Sequence, residues 1–138
     1  MQTITEIQEE ILKDFNIFDN WEQKYEYLID LGKDLVAIDE IHKTDDNLIK
    51  GCQSRVWLYA KEENDKIFFS ADSDAIMTKG IIALLIRVLS GQSAADIVNA
   101  DLNFIKKIGL KEQLSATRAN GLVSMIKQMK LYAVALNN

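Results

Sequence analysis

The chain contains no proline, so no helix is forced to kink and no cis-prolyl turn is available. It has one cysteine, Cys52, and one histidine, His42. A lone thiol cannot close an intramolecular disulfide, and a single Cys with a single His falls short of a zinc site. An iron–sulfur scaffold would need several thiolates. The glycines number six and are scattered, forming neither Gly-x-Gly-x-x-Gly nor a Walker loop. The longest apolar stretch, Gly80 to Leu89, is interrupted by Arg87 and is about half the length a bilayer-spanning helix needs. The net charge of −5 argues against nonspecific binding to nucleic acid or an anionic membrane, while leaving room for a local basic patch that docks one partner.

What is present indicates one folded domain over residues 1–138: 48% hydrophobic and 27% charged residues are the balance of a globular chain that can bury a core. No leader pattern opens it, since Met1 to Glu6 already reads as the start of a helix. An unpaired cysteine fits a reducing compartment, so the expectation is a cytoplasmic protein with no nucleic-acid and no membrane partner.

Thr3 with Glu6 is a capping-box pattern, followed by Ile4, Ile7, Ile11, Leu12 and Phe15 at helical spacing. Asn20 with Gln23 repeats the start signal, and Trp21, Tyr25, Leu28, Ile29 and Leu35 continue a second helix. Residues 38 to 47 read as a polar loop. From Ser54 to Lys61 the period becomes two; Glu62-Glu63-Asn64-Asp65 is a turn, and Lys66 to Ser70 returns as a hairpin strand. Because a two-stranded hairpin alone is marginal, a third short strand is expected through residues 47 to 50. Ala75 to Leu89 is apolar on nearly all sides, as a central helix would be, with Gly91 as its left-handed stop. Ser93 with Asp96, then Leu102 to Ile108 ended by Gly109, mark two short helices, and a last helix begins near Ser115 or Thr117. The order predicts an α+β fold, a small three-stranded antiparallel sheet against about six helices.

Cys52 stands in Gly51-Cys52-Gln53-Ser54-Arg55-Val56-Trp57, between a backbone-freeing glycine and a strand. Free cysteines are usually small buried hydrophobes, but this setting suits a displayed thiol, and nearby N–H groups and a cation would favour the nucleophilic thiolate. Arg118, placed against the dipole at the start of the last helix, is a candidate for that cation. Asp74 reads either as an ordinary helix-start carboxylate or as a group positioning Arg118 or a proton, with Asp72 or Ser73 as the cap. A Cys52–His42 pair is conceivable in space without support from spacing. Trp57 and Tyr59 beside Arg55 read as strand packing or as a recognition face.

Asn20-Trp21-Glu22-Gln23-Lys24-Tyr25, Asn47 through Trp57, Asp72-Ser73-Asp74-Ala75, Lys79-Gly80 and Arg118-Ala119-Asn120-Gly121-Leu122 together resemble the SufE family of sulfur-acceptor proteins, in order and across the chain. Gly-Cys-Gln-Ser-x-Val-Trp is the most specific piece. The resemblance implies a SufE/NifU-like α+β fold and a thiol, Cys52, that takes persulfide sulfur from a SufS-type, PLP-dependent cysteine desulfurase, stimulates it, and hands the sulfur to an iron–sulfur scaffold complex. Asp74 and Arg118 would support the pocket, with Gly51, Gln53 and Ser54 flanking. The chain would need no cofactor or metal of its own, since PLP belongs to the desulfurase, and would act as an accessory carrier rather than a stand-alone enzyme. It departs from the family in lacking prolines, notably before the last arginine where it has Ser115-Ala116-Thr117, and in residues 38 to 46. Two other readings of the thiol stay open: a regulatory module that activates a desulfurase without carrying sulfur, and a redox sensor forming a sulfenic acid.

Overall fold

The computed structural model describes residues 2–137. Helix α1 (Ile4–Asn16) opens with the expected capping box, the Thr3 hydroxyl accepting from Glu6 N and the Glu6 carboxylate accepting from Thr3 N. Asn20 caps α2 (Trp21–Lys33), accepting from Gln23 N at 2.9 Å; this helix stops before Leu35. The following polar segment holds two single 3₁₀ turns, Glu40–His42 and Asp45–Asn47, rather than plain loop.

Strands β1 (Val56–Glu63) and β2 (Lys66–Ser73) form an antiparallel hairpin with Leu58 opposite Ala71 and Ala60 opposite Phe69, all four facing the core. Asn64 and Asp65 both take positive φ, the conformation that lets a two-residue connection follow the twist of the strands. The sheet has two strands and not the expected three. Residues 47 to 50 contribute only one bridge, Leu48 to Trp57, and one main-chain bond, Ile49 N to Val56 O at 2.8 Å. A 3₁₀ turn immediately before and the positive φ of Gly51 immediately after leave too little extended chain for a ladder. Single bridges from Ala37 to Ala71 and from Gln92 to Ile67 satisfy further edge groups, so the hairpin is supported without a third strand.

Helix α3 (Ile76–Leu89) is the central element, packing on α1, α2, the sheet and α7 (Ala116–Leu136). Ile81, Ile82, Leu84, Leu85, Val88 and Leu89 are almost wholly buried. Each such side chain contributes about 1.5–3 kcal/mol over an exposed one. Gly32 and Gly80 let α2 and α3 touch backbone to backbone; a Cβ on Gly80 would collide with the Leu28 carbonyl oxygen. Arg87, the charge inside the apolar run, is answered locally. Its Nη1 donates to the Tyr27 hydroxyl at 2.7 Å and to Asp14 at 3.2 Å, while the Tyr27 hydroxyl donates to Asp14 at 2.7 Å. Burial, reinforced by the bond to Asp14, pushes the Tyr27 phenol up to about 12.

The remaining helices are short: α4 (Ala94–Val98), α5 (Asn103–Ile108) and α6 (Leu110–Gln113), the last not anticipated from sequence. Gly109, at φ 72°, ends α5 and starts α6. Ser115 caps α7 by accepting from Arg118 N.

Candidate functional site

The loop carrying Cys52 leaves the 3₁₀ turn at Asp45–Asn47, reverses at Gly51 (φ 94°) and enters β1 at Val56. That φ is strained for any residue with a side chain. Space is tight as well, since a Cβ on Gly51 would have to push the Ser124 hydroxyl of α7 aside. The loop therefore lies directly on α7. One turn earlier on the same helix, Gly121 packs against the cysteine: a Cβ there would stand 3.4 Å from Cys52 Sγ, at ordinary contact distance.

Cys52 is half-buried, and its S–H donates to the Gly121 carbonyl at 3.7 Å. Burial pushes the thiol above its ordinary value. In the resting position the sulfur faces a carbonyl and not an N–H group. The partner is a carbonyl, which stabilises S–H and repels S⁻, so the resting sulfur is a protected thiol.

A cavity of about 300 Å³ opens beside it, lined by Gln53 and Ser54 from the loop, Thr78 and Ile81 from α3, and Arg118, Gly121 and Met125 from α7. Arg118 is exposed and is the one charged side chain in that lining. No ion pair engages it among the described residues. Ser115 and Thr117, from the proline-free stretch before Arg118, also line it.

Asp74 is placed differently from the idea that it positions Arg118. Its Oδ1 accepts from Arg55 N at 3.1 Å, and its own N–H donates to Arg55 O at 3.3 Å, so it clips the end of the Cys52 loop to the start of α3. It caps no helix: the N-cap of α3 is Ala75, which has no side-chain acceptor, and the Ser73 hydroxyl instead accepts from Ala75 N. Asp72 pairs with Lys43 at 2.8 Å and Lys79 at 3.4 Å. His42 lies away from the cavity lining, stacked on Tyr59 with ring centroids 3.6 Å apart, and Lys43 sits 4.7 Å over the Trp57 ring. The strand aromatics thus cover the outer sheet face with loop residues.

Sequence reasoning did not single out Gly121 or Thr78 as site residues. An isolated glycine inside a helical pattern signals close packing and would have marked Gly121. Thr78 gave no signal, because a threonine in a first helical turn is unexceptional.

The protein-family model described as the Fe-S metabolism associated domain, SufE, matches residues 9–133. An uncharacterized SufE-like protein of Rhizobium meliloti is 40% identical over 127 residues, 88% of this chain and 91% of that protein. SufE-like protein 1, chloroplastic/mitochondrial, of Arabidopsis thaliana is 39% identical over 93% of this chain, which corresponds to 35% of the plant protein. In fold, the chain matches the solution structure of a hypothetical protein from Thermus thermophilus with a TM-score of 0.79, covering 94% of this chain and 95% of that one at 17% identity. With its α+β architecture and a family match spanning nearly its whole length, the chain belongs to the SufE family of Fe-S metabolism associated domains.

Proposed function

We propose that the protein accepts sulfane sulfur on Cys52 from a SufS-type cysteine desulfurase, stimulates that enzyme by clearing its persulfide, and passes the sulfur to an iron–sulfur scaffold complex. The carrying observation is a lone thiol held beside a cavity that has room for added sulfur and a free cation at its edge. In the forward step Cys52 loses its proton to solvent as the loop lifts from Gly121. The thiolate then attacks the outer sulfur of the desulfurase persulfide. A new S–S bond forms at Cys52 Sγ while the donor S–S bond breaks, and the electron pair leaves on the desulfurase cysteine as a thiolate. No net oxidation is needed.

The resting geometry suits a carrier better than a sensor. A redox sensor works as an exposed, low-pKa thiol, whereas burial raises this one. Arg118 stabilises negative sulfur in the cavity, Asp74 sets the resting position of the loop, and Gly51 gives it the freedom to swing out. Gln53 and Ser54 complete the wall. PLP remains with the desulfurase, and this chain acts as its accessory. A reducing cytoplasm would keep the single thiol available between rounds.

The test is the turnover of a cysteine desulfurase supplied with PLP and cysteine. Addition of the wild-type chain should raise sulfide or persulfide output, and Cys52→Ser should give no increase. Full stimulation by Cys52→Ser would show a regulatory module in place of a carrier.

A further inference from the structure

Thr78 is only 7% exposed and lines the cavity with Cys52 and Arg118, yet its hydroxyl makes no hydrogen bond among the described residues. Buried polar groups ordinarily find a partner. Gln92, the other buried polar side chain, does so by donating to Gln2 O at 3.1 Å. A helical threonine has an easy local solution, a bond to the carbonyl one turn back, which Thr78 does not adopt. No fully enclosed side-chain oxygen or nitrogen lacks a partner among the described residues, so the Thr78 hydroxyl keeps access through the cavity it lines.

Resting on the reading that Cys52 carries a persulfide, we propose that Thr78 is a sulfur-contacting residue whose hydroxyl donates a hydrogen bond to the terminal sulfur of Cys52–S–S⁻. The acceptor that holds the resting thiol is unsuitable for that anion, because the Gly121 carbonyl offers only lone pairs. A loaded sulfur must find donors, and a rotatable hydroxyl supplies one. Thr78 also stands in the first turn of α3, where the helix dipole favours negative charge and no side chain caps the end. The other hydroxyls of the lining belong to less buried residues, Ser54, Ser115 and Thr117, and Ser115 already accepts from Arg118 N. Space is ample: a cavity of about 300 Å³ exceeds the roughly 30 Å³ share of a water, and one sulfur atom is not much larger.

The test compares wild type with Thr78→Val, which keeps shape and removes the hydroxyl, and with Thr78→Ser, which restores it. Each chain is loaded with inorganic polysulfide: the Cys52 thiolate attacks a sulfane sulfur and expels the shortened polysulfide anion. The persulfide and, separately, the unloaded thiol are then titrated by the pH dependence of iodoacetamide alkylation, read by intact mass. Thr78→Val should raise the apparent persulfide pKa by about one unit, the size expected for one lost hydrogen bond to a charged group. Thr78→Ser should titrate like wild type, and the unloaded thiol should titrate alike in all three. An unchanged persulfide pKa in Thr78→Val, or an equal shift in loaded and unloaded forms, overturns the proposal; the latter outcome means a structural effect. Failure of Cys52 to hold polysulfide sulfur overturns it too. A wild type that loads from polysulfide but not from a desulfurase contradicts the proposed function and leaves the role of Thr78 standing.

Discussion

Cys52 and Gly121 form the contact on which the site turns: the thiol of one points at the main-chain carbonyl of the other across 3.7 Å, and the sulfur packs directly on the helix backbone there. The protein thus stores its nucleophile as a protonated, half-covered thiol on the flank of a long helix. Activation then means separating loop from helix.

That contact predicts the effect of Gly121→Ala. A Cβ there meets Sγ at 3.4 Å, an ordinary contact distance, and alanine favours the helix interior by about 1 kcal/mol. Gly121→Ala should therefore be tolerated, with thermal stability unchanged or slightly raised. The thiol should keep its carbonyl partner and be alkylated no faster than in wild type, since the added methyl only covers it further. Alkylation several-fold faster in Gly121→Ala would contradict the packing of the resting thiol on α7.

Asp74→Ala removes the acceptor for Arg55 N and loosens the loop. Asp74 is exposed, so the loss should be about 1 kcal/mol or less by chemical denaturation. Hydrogen exchange at Arg55 should nonetheless accelerate, and Cys52 should be alkylated faster. Unchanged exchange at Arg55 would remove Asp74 from the control of the loop.

Arg118→Ala should fold as wild type, because the cap bond at Ser115 uses the main-chain N–H of residue 118 and not its side chain. It should lower the rate of sulfur uptake by Cys52 about tenfold, and Arg118→Lys should recover part of that rate, since a point charge replaces the planar one. A wild-type rate in Arg118→Ala would exclude the cation from the reaction.

Much of this was legible in the residues. The capping box at Thr3, the alternation from Val56, the all-round apolar face of α3 and the stop at Gly109 are local signals, and each produced its element. The missing third strand was not legible, because residues 47 to 50, the segment expected to pair, give only the Leu48 bridge, and the remaining support comes from Ala37 and Gln92, distant segments that no local pattern connects. The same holds at the site. Cys52 stood out by composition and motif, but the thiol's acceptor on α7 and the clip from Asp74 to Arg55 depend on how α3, α7 and the loop meet in space. Arg87 showed the reverse: a charge that interrupted the apolar run proved to be the anchor of the Asp14–Tyr27 network.

That network carries its own prediction. The Tyr27 phenol is raised from 10 to about 12 in the fold, chiefly by burial. A raised acid contributes stability that is complete below its unfolded value near 10 and is lost as pH climbs toward 12. Wild type should therefore lose stability between those values by chemical denaturation, and Tyr27→Phe should lose less over the same interval. Parallel losses in both proteins would place the alkaline sensitivity elsewhere.

The central claim, that Cys52 is the sulfur carrier, is tested most directly by intact mass of the chain after incubation with a cysteine desulfurase, PLP and cysteine. The account predicts that wild type gains one or more sulfur atoms, removable by a thiol reductant, and that Cys52→Ser gains none. A wild-type chain that stimulates the desulfurase while its mass stays unchanged would contradict it.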